Sequence, residues 1–199
     1  MEKNVIQLEI LEDLEGSGVE AISLVNEPAT ESYWLYFKSE KPEVKEVKLS
    51  INDDKQIVVG CVMIPELEIY RAPLEEGEKE FYIRFSAETV EKMARKFMKD
   101  LRLKETNVQH KDSIDAGSYV TESWIVENLE DKANTVYNLS VPVGSWCIKM
   151  KVEDPKIWAL VKSEDLKGFS LQGNFVPKED IDEEVAKQTL ETIKKLLGK

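Results

Sequence analysis

One histidine, His110, occurs in the 199 residues, so any imidazole chemistry falls to it. It stands in Asn107-Val-Gln-His-Lys-Asp. An imidazole titrates near neutral pH and can serve as general base or acid. A serine with a distinctive setting is Ser170, in Leu166-Lys-Gly-Phe-Ser-Leu-Gln-Gly-Asn-Phe, between Gly168 and Gly173. A hydroxyl is a poor nucleophile until a base lies within hydrogen-bond reach. The flanking glycines let another backbone or a substrate come close. The spacing Gly-x-Ser-x-x-Gly differs from the hydrolase nucleophile elbow, which has glycine two before and two after the serine. A carboxylate can also be brought to the imidazole. Asp115-Ala-Gly is a turn signal, and Tyr119 to Val126 reads as a strong strand. A hairpin centred on Ala116 sets Glu122 opposite His110, since 116 − 110 and 122 − 116 are both 6. Directly opposed residues hold their Cβ atoms about 4.5–5.5 Å apart. A carboxylate there would hold one tautomer and stabilise the charged ring. A slip of one residue would instead pair His110 with Thr121 or Ser123 and turn Glu122 to the other face.

Composition narrows the chemistry. Lys plus Arg total 27 and Asp plus Glu 39, a formal net charge of −12. That charge argues against nucleic-acid binding, which needs a cationic surface, and against anionic membranes. One histidine and two cysteines exclude multi-His and Cys-type metal sites and a disulfide scaffold. Neither a metal nor a cofactor is expected. Cys61 and Cys147 lie in apolar, strand-like surroundings and read as small core residues of a reducing cytosol. The N-terminal stretch is interrupted by charge every few residues, unlike a signal peptide. No run reaches the roughly 18 apolar residues of a membrane span.

The elements that must position these groups are mostly strands in the first half. Alternation predicts a strand at Val5–Leu11, aromatic content one at Ser32–Phe37, and short runs between turn residues those at Val19–Val25, Val47–Ile51, Gln56–Ile64, Leu67–Arg71 and Glu80–Phe85, with a charged loop over 38–47. A helix is predicted from Ser86 to Leu101. Ser86 caps it, Phe85 and Val90 staple it, and Val90, Met93, Ala94, Phe97, Met98 and Leu101 form one apolar stripe. Asp154-Pro155 starts a second helix, because proline at the first helical position loses no bond. A third runs from Glu179 to Leu197, with Ile181, Val185, Leu190, Ile193 and Leu197 on one face. The pattern is that of a mostly antiparallel α+β domain.

Four segments together resemble a known family. They are Val19-Glu-Ala-Ile-Ser-Leu-Val-Asn-Glu-Pro-Ala, Gln109-His-Lys-Asp with Thr121-Glu-Ser-Trp-Ile-Val, Val141-Pro-Val-Gly-Ser-Trp, and Gly168-Phe-Ser-Leu-Gln-Gly. They look like the phage serine proteases of the XkdF type, which belong with tailed-phage prohead proteases and share a fold with herpesvirus assemblin. The resemblance implies a mainly antiparallel β-barrel flanked by helices, with a protease domain over 1–177 and an amphipathic helix over 178–199, where relatives carry a scaffold-like extension. It implies Ser170 as nucleophile and His110 as base. Assemblin-type enzymes use a second histidine as third member, and this chain has none. Phage members carry an acidic residue instead, and the hairpin argument selects Glu122. Asp112 is the runner-up, and Asp180 or Asp182, after the serine, stays open. The arginine loop that assists assemblin has no counterpart after Ser170. The implied activity is cleavage of scaffold and major capsid protein extensions, and of the protease itself, inside the assembling prohead in the host cytoplasm. The implied state is a homo-oligomer. Two other readings stay open: a catalytically inactive assembly or scaffold module with the same fold, and an acidic DNA mimic.

Overall fold

A computed structural model describes residues 4–26, 49–52, 55–71, 80–183, 185 and 187; the side chains of 112–114 lie outside that description. The expected strand Ser32–Phe37, the charged loop over 38–47 and most of the expected C-terminal helix also lie outside it. Residues 178–180 form a 3-10 turn, and helical residues 181–183 follow.

The strands are β1 (Val5–Glu9), β2 (Gly18–Val25), β3 (Ser50–Asn52), β4 (Ile57–Met63), β5 (Ile69–Arg71), β6 (Phe81–Phe85), β7 (Thr106–Val108), β8 (Lys111–Asp115), β9 (Ser118–Ile125), β10 (Trp146–Val152), β11 (Gly168–Asn174) and β12 (Val176–Pro177). The α-helices are α1 (Ala87–Lys99), α2 (Lys132–Thr135) and α3 (Pro155–Lys162). The strands form three four-stranded sheets, in the orders β12-β1-β6-β5, β3-β4-β10-β9 and β11-β2-β7-β8. The fold is therefore mixed α+β, as its alternating patterns imply. The β-barrel implied by the resemblance is not found: among the described residues no sheet closes on itself. The ladders are antiparallel except for β1 with β6 and β2 with β7.

Helix α1 forms where its local chemistry predicts. Ser86 Oγ accepts the Thr89 N–H at 3.1 Å, satisfying a donor that the first turn leaves without a partner. Its stripe buries Val90, Met93, Ala94 and Phe97. Phe97 meets Trp146 edge to face at 5.5 Å between centroids. Met98 and Leu101, expected in the stripe, are exposed. Helix α3 begins as read, with Asp154 Oδ1 accepting from the N–H of Lys156 at 2.7 Å and of Ile157 at 3.1 Å. The main core joins Ile22 and Leu24 of β2, Met93 and Phe97 of α1, Trp146, Ile148 and Met150 of β10, and Phe169 of β11. A smaller cluster places Cys147 with Val59, Val126, Ala133, Leu139 and Val141.

Alternation along the strands of the third sheet separates two faces. Phe169 and Leu171 of β11, Ile22 and Leu24 of β2 and Val108 of β7 join the core. The residues between them turn the other way, because successive strand side chains point to opposite faces. Those residues are Ser170, Ser23 and Asn107. The register aligns them: Ser170 pairs with Ser23, and Ser23 with Asn107. One polar row thus crosses three strands.

Candidate functional site

His110 reaches this row from a tight turn. Val108 pairs with Lys111, leaving Gln109 and His110 as a two-residue loop between β7 and β8. Both adopt left-handed backbone, at φ 55° and 56°. Two positive φ values are the mark of a type I′ turn, whose twist suits a hairpin. Neither residue is Gly, Asn or Asp, so each costs about 1–2 kcal/mol of backbone strain. Tertiary contacts hold the turn: the Gln109 N–H donates to Leu24 O at 3.0 Å, one residue from Ser23. Strain of this kind persists where surrounding structure over-determines it, and it gathers at functional sites.

Both ring nitrogens of His110 are engaged although the residue sits exposed at the hairpin tip. Nε2 is 3.0 Å from Ser170 Oγ, and Nδ1 is 3.0 Å from Ser23 Oγ. Ser23 Oγ donates to Asn107 Oδ1 at 2.7 Å, and Asn107 Nδ2 donates to Gln172 Oε1 at 3.1 Å. Ser170, Ser23 and Asn107 are buried, Ser23 completely. Gln172 lies two residues beyond Ser170 on β11 and therefore shares its face. The result is a continuous line of hydrogen bonds, Ser170–His110–Ser23–Asn107–Gln172.

Partial burial of the ring lowers the His110 pKa below its ordinary value, and the positive charge of Arg71 lowers it further. Arg71 ends β5 and donates through Nη1 to Tyr70 O at 3.0 Å. A base kept unprotonated at neutral pH, against a serine hydroxyl, is the arrangement that proton abstraction needs.

The structure brings Ser170 and His110 together across 60 residues of chain. It does not bring Glu122 to the ring. The expected hairpin of Val108–His110 with Tyr119–Val126 is replaced by the shorter one of β7 with β8, whose two-residue turn ends at His110 itself. Strand β9 then leaves for another sheet, where Glu122 pairs with Lys149. Its carboxylate is bound there by the ammonium groups of Lys132 and, at 2.7 Å, Lys149. Those bonds hold its pKa below the usual carboxylate range. Lys132 also caps the Trp124 ring at 4.2 Å, so Glu122 belongs to a cluster that fastens α2 to the sheet. Asp112 falls on β8, with its side chain outside the described residues. Asp180 and Asp182 are exposed at the far end of the chain.

The reading of the residues missed Ser23, Asn107 and Gln172. Ser23 had a signal: a hydroxyl between Ile22 and Leu24 in an otherwise apolar strand must find a partner once buried. Asn107 and Gln172 carried none, since their value lies in register. Among the described residues no three His, Cys, Asp or Glu side chains converge as metal ligands.

Comparison with known proteins adds one finding. A family model described as Putative phage serine protease XkdF matches residues 43–179. No curated protein and no solved structure matches the chain. The matched span contains β7 to β11, hence His110 and Ser170, whereas Ser23 precedes it.

Proposed function

We propose that this chain, which belongs to the phage serine protease family XkdF, is an endopeptidase that works by acyl transfer from Ser170 with His110 as base. The observation that carries the reading is the 3.0 Å contact between Ser170 Oγ and His110 Nε2 at the end of a buried polar row. In the first step Nε2 takes the Ser170 proton as Oγ bonds to the peptide carbonyl carbon, and the carbonyl oxygen becomes an oxyanion. The imidazolium then gives its proton to the departing amine, the C–N bond breaks, and an acyl-serine ester is left. Water enters and loses a proton to Nε2. Its oxygen attacks the ester, and the proton returns to Oγ as the acid product leaves.

The substrates in this reading are extensions of phage scaffold and major capsid proteins, and the protease's own chain, inside an assembling prohead in the host cytoplasm. A homo-oligomer fits that setting. The order of His110 before Ser170 is the order of assemblin-type proteases, which supports a distant kinship in mechanism.

The test mixes the protein with its phage's scaffold and major capsid proteins and follows cleavage by gel and mass spectrometry. Wild type is expected to cut while Ser170→Ala and His110→Ala do not. Equal cutting by all three would refute the mechanism. Absence of cutting in all three, self-cleavage included, would favour the inactive assembly module.

A further inference from the structure

Resting on the Ser170–His110 reading, we infer that Ser23 and Asn107 are positioning residues that set the His110 tautomer, as a neutral pair where a triad has a carboxylate. The polarity of the hydrogen bonds makes the case. Asn107 Nδ2 donates to Gln172 Oε1, which aims the other end of the amide, Oδ1, at Ser23. The Ser23 hydroxyl has one proton and gives it to Oδ1 at 2.7 Å. Towards His110 Nδ1, 3.0 Å away, its oxygen can then only accept. Nδ1 must therefore carry the ring proton. A neutral imidazole has one N–H, so Nε2 presents its lone pair to Ser170 Oγ, which must donate. With Gln172 Oε1 facing Asn107 Nδ2, the direction of every other bond in the line follows. Strand β11 thus supplies both the nucleophile and the group that orients its base two residues later.

The geometry is built into the fold. Ser170, Ser23 and Asn107 occupy one register row across β11, β2 and β7. Ser23 is fully buried and Asn107 nearly so, which keeps water from competing for the bond between them. Glu122, the carboxylate expected beside the ring, is committed to Lys132 and Lys149. A hydroxyl orients an imidazole without the charge that would hold a proton on it.

The sole histidine makes a direct test available in the whole chain. With 15N-labelled histidine, long-range 1H–15N spectra give a single imidazole pattern whose shifts read the tautomer. Wild type is expected as Nδ1–H. Ser23→Ala removes the acceptor, and Asn107→Ala frees the Ser23 proton to turn towards Nδ1, so both should move the ring to Nε2–H. Asn107→Asp keeps an acceptor for Ser23 and should keep Nδ1–H. In parallel, the rate of fluorophosphonate labelling at Ser170 should fall about 10–100-fold in both alanine variants, the usual cost of losing an orienting partner. A wild type in the Nε2–H form overturns the inference, as do alanine variants that keep both the Nδ1–H form and the wild-type labelling rate. In either case a wild-type Ser170 that still reacts with the fluorophosphonate keeps the protease reading. Conversely, a wild type inert to the reagent whose tautomer still responds to Ser23→Ala sinks the protease reading and leaves the positioning role standing. If Ser23→Ala does not fold, the contrast between Asn107→Ala and Asn107→Asp decides.

Discussion

Replacing Gly173 by alanine should separate β11 from β2 and damage the site from three residues away. A Cβ on Gly173 would lie 2.2 Å from Gly18 O, 2.9 Å from Val19 Cα and 3.0 Å from Gly18 C. All three are backbone atoms of β2, so no rotamer can relieve them. Ordinary contact begins near 3.4 Å, so the strands must part by 3.4 − 2.2 = 1.2 Å at this point. A ladder bond of about 2.9 Å does not survive that displacement. Losing one or two such bonds, with the buried groups left unsatisfied, costs about 2–4 kcal/mol. For a chain of this size the melting temperature should drop by about 5–15 °C. Gly60→Ala is the matched control. Its Cβ would meet Leu49 Cδ2 at 2.6 Å and the Phe169 ring at 3.1 Å. Leu49 presents the end of a movable side chain, and the ring needs only a few tenths of an ångström, so about 1 kcal/mol is expected. Thermal melts by circular dichroism measure both. Fluorophosphonate labelling of Ser170 should fall further in Gly173→Ala than in Gly60→Ala, because the register of Ser170 against Ser23 is what the clash disturbs. A Gly173→Ala protein that melts with wild type, or a Gly60→Ala protein that is the less stable of the two, would refute the reasoning.

Titration of the single histidine by proton NMR should give a midpoint below the ordinary value of about 6.5, since burial and Arg71 both oppose its charge. The unfolded chain then takes up this proton at higher pH than the folded one. The group's share of stability is therefore full above pH 6.5 and declines as pH falls towards the folded midpoint. Arg71→Gln should raise the midpoint, and an unchanged value would discount the guanidinium. Glu122→Gln should leave both the histidine midpoint and the Ser170 labelling rate unchanged while costing about 0–1 kcal/mol in a urea melt, as expected for a half-exposed ion pair; slower labelling would restore Glu122 to the site. Cys147 is completely buried, and its hydrogen bond with Cys61, together with burial, pushes its thiol far above the ordinary range. Peptide mapping should therefore find iodoacetamide on the half-buried Cys61 well before Cys147, and equal labelling of the folded protein would contradict this packing.

The elements read correctly from sequence are those whose causes are local. Helix α1 announced itself through a cap, a staple and a stripe, all within the 17 residues from Phe85 to Leu101. The Asp154-Pro155 start of α3 is equally local. Strand existence was also legible for β1 from alternation, and for β2, β4 and β6 from short runs between turn residues. Pairing was not. The turn Gln109-His110 lacks the Gly, Asn or Asp that signals a type I′ loop, and the stronger local turn signal lies at Asp115-Ala-Gly. A hairpin centred there would bring Glu122 to the imidazole; the chain instead pairs β7 with β8 and sets Glu122 against Lys149.

By itself, the sequence determined the inventory: one imidazole, a serine in a glycine-flanked strand, an acidic surface and the amphipathic patterns of an α+β domain. Inventory is set by residue types and short-range periodicity, which do not depend on what lies across the fold. The company of His110 was decided only by tertiary structure. Ser170 and Ser23 stand 147 residues apart (170 − 23), and Asn107 lies between them in sequence, yet one register row joins all three. Two separately aligned ladders, one antiparallel and one parallel, create that row. A one-residue slip in either would turn a polar side chain into the core, so burial of Phe169, Ile22 and Leu24 on the opposite face is what holds the site in place.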